Sequence, residues 1–228
     1  MKNLLACAMA LPLATQAAPQ VFDLDPMHSF VQFEVRHFDT STLRGRVGPV
    51  RGQVTLDPEA GLGRLGLVID MRTLDTGFKL LDMRLRQSDL LDVGGHPDAY
   101  FVAERFRFEQ GRPVELTGEF TLRGTGVALT LRAQRYACLD AVADGTRRCG
   151  GDFEGELLRS AFGATFGLPL VADPVRLRVQ VEGLQRSRAA DAVAAEPHRQ
   201  FAVLVERRRE PRARRVRHRR SGRPHCPA

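Results

Sequence analysis

Long apolar segments are missing from most of this chain. After the first 18 residues, no stretch of the 228-residue sequence is apolar for long enough to cross a bilayer as a helix. The sequence also contains no glycine-flanked nucleophile elbow, no phosphate-binding loop and no zincin helix. These absences argue against a helical membrane protein, an elbow-type hydrolase, a P-loop nucleotide-binding protein and a zinc protease.

The one apolar run, Leu4–Ala14, follows a positive charge at Lys2. It is too short to span a bilayer and has the layout of a cleavable signal peptide over residues 1–18. Two alternatives are less favoured: a buried first helix, which Pro12 would interrupt, and a lipid-attachment box at Leu4–Cys7, which would come unusually early. We predict export, followed by one domain over residues 19–185.

Cysteine is scarce in the predicted domain. Apart from Cys7 and Cys226, the chain contains only Cys138 and Cys149, with ten residues between them. A metal site would need four ligands, and no histidine lies near this pair in the sequence. In an exported protein, a disulfide closing this short ring contributes roughly 2 to 3 kcal/mol on the chain-entropy model. We therefore predict a Cys138–Cys149 disulfide and no metal.

Positive charge is concentrated at the C-terminus. Residues 186–228 contain 13 arginines, no lysine and four acidic residues, whereas residues 19–185 carry a formal net charge of −3. The domain therefore offers no basic surface for nucleic acid. High charge, proline and few apolar residues predict a disordered tail, which could contact anionic lipid or nucleic acid. Because arginine and proline also accumulate when a GC-rich gene is read in a shifted frame, we interpret the tail as dispensable or frameshifted.

Eight segments alternate apolar and polar residues, which is the period-two pattern of half-buried strands. The first contains Val31, Phe33 and Val35, and the others are Val50–Leu56, Leu65–Ile69, Tyr100–Phe108, Val114–Leu122, Val127–Ala133, Phe153–Leu157 and Val175–Val181. One break, Thr73–Asp92, places apolar residues at helical spacing. The pattern predicts an all-β fold: an eight-stranded antiparallel barrel with a short helix between strands three and four, as gate or plug.

The inside of such a barrel is wide enough to hold one slender ligand, and alternate residues of each strand face inward. This parity selects most of the candidate ligand-binding residues. Three come from the predicted helix, His37 shares the inward parity, and Arg159 offers a forked donor suited to phosphate. The alternative is that the apolar residues only fill the barrel as a core. The candidates are Val31, Phe33, Val35, His37, Val54, Leu65, Leu67, Phe78, Leu81, Leu85, Val102, Phe106, Leu116, Phe120, Leu129, Leu131 and Arg159.

Several short motifs occur in an order that resembles the YceI-like family. They are Asp25–Phe33, Leu43–Arg46, Asp75–Gly77, Leu85–Asp92 and Arg159–Gly163, the last followed by Pro169, Asp173, Val175 and Leu177. The resemblance covers roughly residues 21–185. It implies a bacterial periplasmic protein with a lipocalin-like eight-stranded barrel that holds a polyisoprenoid chain in its lumen, without catalysis. We expect no cofactor, and a polyisoprenoid lipid or isoprenoid quinone as ligand.

Some residues of the chain are also compatible with roles other than lipid binding. Asp25, His28 and Ser29 are residue types used in nucleophilic hydrolysis, but a five-residue turn seldom assembles a triad, so we expect no enzyme. An accessory role for a membrane redox partner, and a homodimer, are further expectations. Polar candidates for a ligand head group, besides His37 and Arg159, are His28, Arg36, Arg44, Asp82 and Arg86.

Overall fold

The computed structural model describes residues 18–140 and 146–185, so the predicted signal peptide, apart from Ala18, and the tail lie outside the described residues. Within these ranges the chain forms ten strand segments and one α-helix. The helix, α1, spans Lys79–Leu85, and 3₁₀ turns cover Met71–Thr73 and Arg159–Phe162. The strands are β1 Gln20–Leu24, β2 Phe30–His37, β3 Ser41–Val47, β4 Val50–Asp57, β5 Leu62–Asp70, β6 Asp98–Glu109, β7 Arg112–Leu122, β8 Thr125–Leu139, β9 Arg148–Leu158 and β10 Val171–Gln185.

The ten segments occupy eight positions of a closed antiparallel barrel. β1 and β2 share one position because both pair with β10. β3 and β4 share the next position because β3 pairs with β2 and β4 pairs with β1. β5 to β10 follow in chain order, and β10 closes the ring against β1 and β2. The predicted all-β, eight-stranded antiparallel barrel is confirmed.

The helix follows the segment after which it was predicted, but the number of that strand is not confirmed. α1 comes after β5, which contains the third predicted segment, Leu65–Ile69, and the count differs because alternation alone does not detect β1 and β3. In β3, Gly45 stands where an apolar side chain would continue the pattern between Leu43 and Val47. β1 is short and ends at the turn that begins at Asp25, so only its continuation, β2, carries a clear alternating signal.

The two ends of the barrel differ in their connections. At the first, here called the open end, lie the β2–β3 turn, α1, the β7–β8 turn and the loop 163–170. At the other, the closed end, lie the β4–β5, β6–β7 and β8–β9 connections. The β6–β7 turn is the tight pair Gln110-Gly111, both with positive φ, which is the type I′ geometry that suits the twist of antiparallel strands.

The core consists of the inward side chains of the strands. The main cluster includes the buried Val31, Leu67, Phe101, Leu129 and Leu177, and a smaller cluster surrounds Phe22, Leu56 and Cys149 at the closed end.

The inward assignment of Val102 was wrong. In β6 the buried residues are Ala99, Phe101 and Ala103, so Val102 lies on the outer face. The pairing of β6 with β7 shifts register between Ala103 and Arg105. Counting back from Phe106 in steps of two therefore assigns Val102 to the wrong face of the strand.

The disulfide is present as predicted. Cys138 of β8 and Cys149 of β9 are directly paired across the strands, with their Cα atoms 4.0 Å apart. The bond therefore closes the β8–β9 connection at the closed end.

Candidate binding cavity

A cavity of about 300 Å³ occupies the open half of the barrel. Its wall consists almost entirely of aliphatic and aromatic side chains, with His37, Arg84 and Arg159 as the exceptions. This size lies at the lower end of the range for small-molecule sites, and the apolar wall suits a hydrocarbon better than a polar ligand. No helix in the described part of the chain is both long and apolar enough to cross a bilayer.

One wall of the cavity is built in rows across four neighbouring strands. Residues that are paired across β3, β2, β10 and β9 point to the same face, as the pleat of a sheet requires. One such row consists of Leu43, Val35, Val175 and Leu157, and all four border the cavity.

The neighbouring row contains glycine at both of its ends. Gly45 pairs with Phe33, and a Cβ on Gly45 would overlap the Phe33 ring, lying 2.6 Å from Cε1. The missing side chain therefore allows the Phe33 ring to lie against β3 instead of projecting into the cavity. The glycine that interrupts the alternation in β3 thus determines where the cavity-lining Phe33 ring can lie.

α1 and the loop after β9 border the opening. Leu81, Arg84 and Leu85 of α1 line the cavity, as does Phe166 of the loop. The Arg84 guanidinium lies 4.1 Å from the centre of the Phe166 ring, and it donates two hydrogen bonds to Asp89, at 2.7 and 2.6 Å. The ion pair lowers the pKa of Asp89, chiefly because of the hydrogen bond from Arg84.

Arg159 is buried beside the cavity and holds the open-end loop together. Its guanidinium donates to the carbonyl oxygens of Ala164, Phe166, Val171 and Ala172, at 2.6 to 2.9 Å. Burial lowers the pKa of Arg159, and the negative charge of Asp173 opposes this effect. Since most of its N–H groups are already bonded to the backbone, its first role is to fix the shape of the opening.

A second cavity of about 60 Å³ lies towards the closed end. Leu67, Leu131 and Val179 border both cavities and so separate them. Around the smaller one lie Tyr136 and Cys149 of the disulfide, and burial raises the pKa of the Tyr136 hydroxyl.

A family model described as a YceI-like domain matches residues 22–183, well over half of the chain. The chain belongs to the YceI-like family. The resemblance seen in the sequence motifs is therefore confirmed.

Relatives of similar length support the assignment. A protein YceI of Salmonella newport is 30% identical over 190 residues, covering 81% of this YceI-like chain and 98% of its own. A UPF0312 protein of Vibrio parahaemolyticus is 27% identical over 186 residues, covering 80% of this chain and 95% of its own.

Solved structures show the same fold. Burkholderia cenocepacia BcnA matches with a TM-score of 0.56 at 23% identity, covering 70% of this chain and 99% of that one. The Campylobacter jejuni YCEI protein gives 0.55 at 20% identity, covering 67% and 90%. A polyisoprenoid-binding domain from Saccharophagus degradans, implicated in plant cell wall breakdown, gives 0.52 at 15% identity, covering 72% and 98%.

The YceI-like barrel places most of the predicted ligand-binding residues at the two cavities. The larger cavity is bordered by Val31, Phe33, Val35, His37, Leu67, Leu81, Leu85, Phe120, Leu129, Leu131 and Arg159. The smaller one is bordered by Val54, Leu65, Leu67, Phe106, Leu116 and Leu131. Two residues border neither: Val102 faces outward, and Phe78, which precedes the first turn of α1, is 58% exposed at the open end. Whether the cavity residues bind a ligand stays a prediction.

Sequence reasoning missed part of the cavity. Val175, Leu177 and Val179 lie on a strand that the alternation detects, so the same parity rule could have selected them. Leu90, Leu91, Ala164 and Phe166 lie on irregular segments, where no periodic signal reports an inward side chain.

The polar residues of the β1–β2 turn form a structural cluster. Asp25 Oδ2 lies 2.8 Å from His28 Nδ1, and this bond, together with the Met27 amide and Arg148, lowers the pKa of Asp25. The Ser29 hydroxyl bonds to the backbone of Glu182, accepting from its N–H at 3.1 Å and facing its carbonyl at 3.3 Å. In this arrangement Ser29 is tied to β10 rather than to His28.

The remaining polar candidates lie away from the cavity wall. Arg36 pairs with Asp39 and Arg44 with Glu34, on the exposed surface. Asp82 is the buried residue of α1, and it accepts from the Thr76 amide and hydroxyl, at 2.8 and 2.7 Å. Arg86 donates to the carbonyl of Leu74. These contacts anchor the segment around α1.

Proposed function

We propose that this YceI-like barrel binds the hydrocarbon chain of an isoprenoid lipid or an isoprenoid quinone in the larger cavity and carries it. The observation that supports the proposal is the apolar wall of a 300 Å³ cavity that reaches the open end. The fold neighbour from Saccharophagus degradans, described as a polyisoprenoid-binding domain, points to the same ligand class.

The wall explains why a hydrocarbon is favoured. Each methylene that moves from water onto this apolar surface contributes up to about 0.8 kcal/mol, before the cost of ordering the chain. A polar chain would lose hydrogen bonds to water and find few partners on the strands. The three polar residues of the cavity, His37, Arg84 and Arg159, border its open half, so the head group would lie there with the chain running inward.

The test is mass spectrometry of organic extracts from the full chain, purified from a bacterial periplasm without detergent. We expect a stoichiometric isoprenoid or quinone. Val175→Trp places a large ring in the cavity wall, and Val102→Trp makes the same change at a half-buried valine on the outer face. The lipid content of the first variant should be lower than that of the wild type by about tenfold or more, and the second variant should retain its lipid.

Two results would contradict the proposal. One is a wild-type extract without lipid, combined with no binding of added isoprenoid alcohol. The other is an equal lipid content in the two tryptophan variants, provided that both keep their melting temperatures.

The carrier role includes three further proposals. Periplasmic location, suggested by the pattern of residues 1–18, is checked by osmotic-shock fractionation of cells that produce the full chain. Service to a membrane redox partner would be supported by specific recovery of such a protein from solubilised membranes, and a homodimer by analytical ultracentrifugation.

Binding without chemical conversion predicts that Ser29→Ala leaves the extracted lipid unchanged.

A further inference from the structure

Large apolar side chains are exposed around the opening of the barrel. Six of them lie on three separate segments of the open end, and each is between 51% and 66% exposed. We call this set the apolar rim: Phe38, Phe78, Leu80, Met83, Phe166 and Leu170. Isolated exposed apolar residues are ordinary, but a group that surrounds one opening marks an interaction surface.

Contacts within the open end join the rim into one surface that continues into the cavity. Arg84 of α1 lies over the ring of Phe166, which belongs to the apolar rim and also lines the cavity. The Phe38 amide donates to the carbonyl of Leu170 at 2.7 Å. The ring of His37, a cavity residue, lies 4.3 Å from the ring of Phe38.

α1 is apolar on two sides, which is unusual for a helix at a protein surface. Leu81 and Leu85 point into the cavity, whereas Leu80 and Met83 are exposed to solvent. A surface helix normally presents polar residues on its outer side. Packing against the barrel does not account for Leu80 and Met83.

We propose that the apolar rim docks on the surface of a lipid bilayer. Leu80, Met83, Phe78 and their neighbours would enter the boundary between head groups and acyl chains, as the apolar face of an interfacial helix does. The proposal rests on the proposed function, because a hydrocarbon ligand has to leave a membrane to reach the cavity.

Continuity between rim and cavity favours a bilayer over a protein partner. A hydrocarbon chain that moves from the acyl region past Phe166 into the cavity would stay in contact with apolar side chains along its path. Lys79, the exposed first residue of α1, has a long stem that allows its charged group to reach the head-group level while the helix lies in the interface.

The test is flotation of the full chain with vesicles of phosphatidylcholine. These vesicles carry no net charge, so the 13 arginines of residues 186–228 supply no electrostatic attraction to them. The rim variant is Leu80→Asp with Met83→Asp. The matched control is Leu62→Asp with Leu139→Asp, which changes two leucines that are 64% and 61% exposed at the closed end.

We expect the wild type and the closed-end control to float with the vesicles, and the rim variant to partition at least about tenfold more weakly. Absence of wild-type flotation, or equal flotation of the two double variants, would overturn the docking proposal. So would a dimer that dissociates in the rim variant without any vesicle binding, since the rim would then be an interface between copies.

Binding of farnesol in the absence of vesicles separates this proposal from the carrier function. Leu80 and Met83 do not border the cavity, so the rim variant should bind farnesol as the wild type does. Normal farnesol binding without wild-type flotation would overturn docking alone. Failure of the wild type and every variant to bind farnesol, combined with a wild-type extract without lipid, would instead overturn the proposed function.

Discussion

The open end and the closed end of this barrel share their strands but differ in what covers them. At the open end the strands lead into a seven-residue helix and a loop held by Arg159, above a cavity of about 300 Å³. At the closed end β8 and β9 are joined by the Cys138–Cys149 disulfide, and the neighbouring cavity has a volume of about 60 Å³.

The difference shows that strand alternation alone does not decide whether a barrel interior is filled. Both halves place apolar residues at every second position, yet only the half covered by irregular segments retains a sizeable cavity. At the closed end the Phe106 and Phe108 rings stack 6.0 Å apart, and these residues and Tyr136 pack against the smaller hydrophobic cluster around Phe22. The closed end is cross-linked by the disulfide, and the open end carries the exposed apolar rim. This arrangement suits a ligand that enters the barrel at the open end.

Leu131→Ala would remove part of the partition between the two cavities. Leu131 borders both and is 4% exposed, so its truncation should lower the free energy of unfolding by about 2 to 5 kcal/mol. Urea denaturation measures this cost, and Leu62→Ala, at the exposed closed end, should change it little. Extracts of Leu131→Ala should contain longer isoprenoid chains than the wild type, and an unchanged chain length would show that Leu131 does not limit the ligand.

Replacing Cys138 and Cys149 by alanine would remove the cross-link at the closed end and leave the open end unchanged. Loss of the cross-link should lower the free energy of unfolding by about 2 to 3 kcal/mol, since the bond closes a ring spanning a sequence separation of 11. Lipid content in extracts should persist, because the disulfide does not border the larger cavity. Loss of lipid in a variant that remains folded by circular dichroism would show that the closed end also contributes to lipid binding.

Gly45→Ala would narrow the open half from within. The added Cβ overlaps the Phe33 ring, which must turn towards the cavity, at an expected cost of about 1 to 3 kcal/mol. Thermal unfolding measures the cost, and lipid extraction should show a reduced content. Gly111→Ala offers a comparison, because an added Cβ there meets no atom within 4 Å although the positive φ of 74° disfavours alanine. A Gly45→Ala variant with unchanged lipid content would show that the Phe33 ring does not bound the ligand site.

We expect Asp173 to make the stability of the open end sensitive to acid. It accepts from the Ser160 hydroxyl and amide at 2.6 and 2.8 Å, and these bonds, with the charge of Arg159, lower the pKa of Asp173. A lowered folded-state pKa means that the stabilisation is complete above the unfolded value of about 3.9 and is lost as the pH falls through the lower folded value. Asp173→Asn should therefore cost about 1 kcal/mol at pH 7.

The difference between wild type and Asp173→Asn should shrink as the pH falls below about 4. Denaturation curves at several pH values test this, with Asp39→Asn as a control, because Asp39 lies in an exposed pair with Arg36. A difference that is constant from pH 7 to pH 2 would assign the effect to packing rather than to charge.

Much of the barrel was predictable because the alternation of apolar and polar residues along a strand shows which side chains point inward. Val31, Phe33 and Val35 of β2, and Leu129 and Leu131 of β8, follow strict alternation and border the cavities as expected. The prediction failed at Val102, where a register shift in β6 changes the parity, and missed β3, where Gly45 leaves no side chain to count. The disulfide was predictable because only two cysteines lie within residues 19–185.

The sequence by itself determined the fold class, the family and the apolar character of the interior, since all three depend on residue type and spacing along the chain. Only the tertiary structure decided which end is open, which residues separate the two cavities and which apolar side chains of α1 remain exposed. Those features depend on contacts between segments far apart in the chain, such as Arg84 with Phe166 and Phe38 with Leu170, and the spacing of residues within one segment does not predict them.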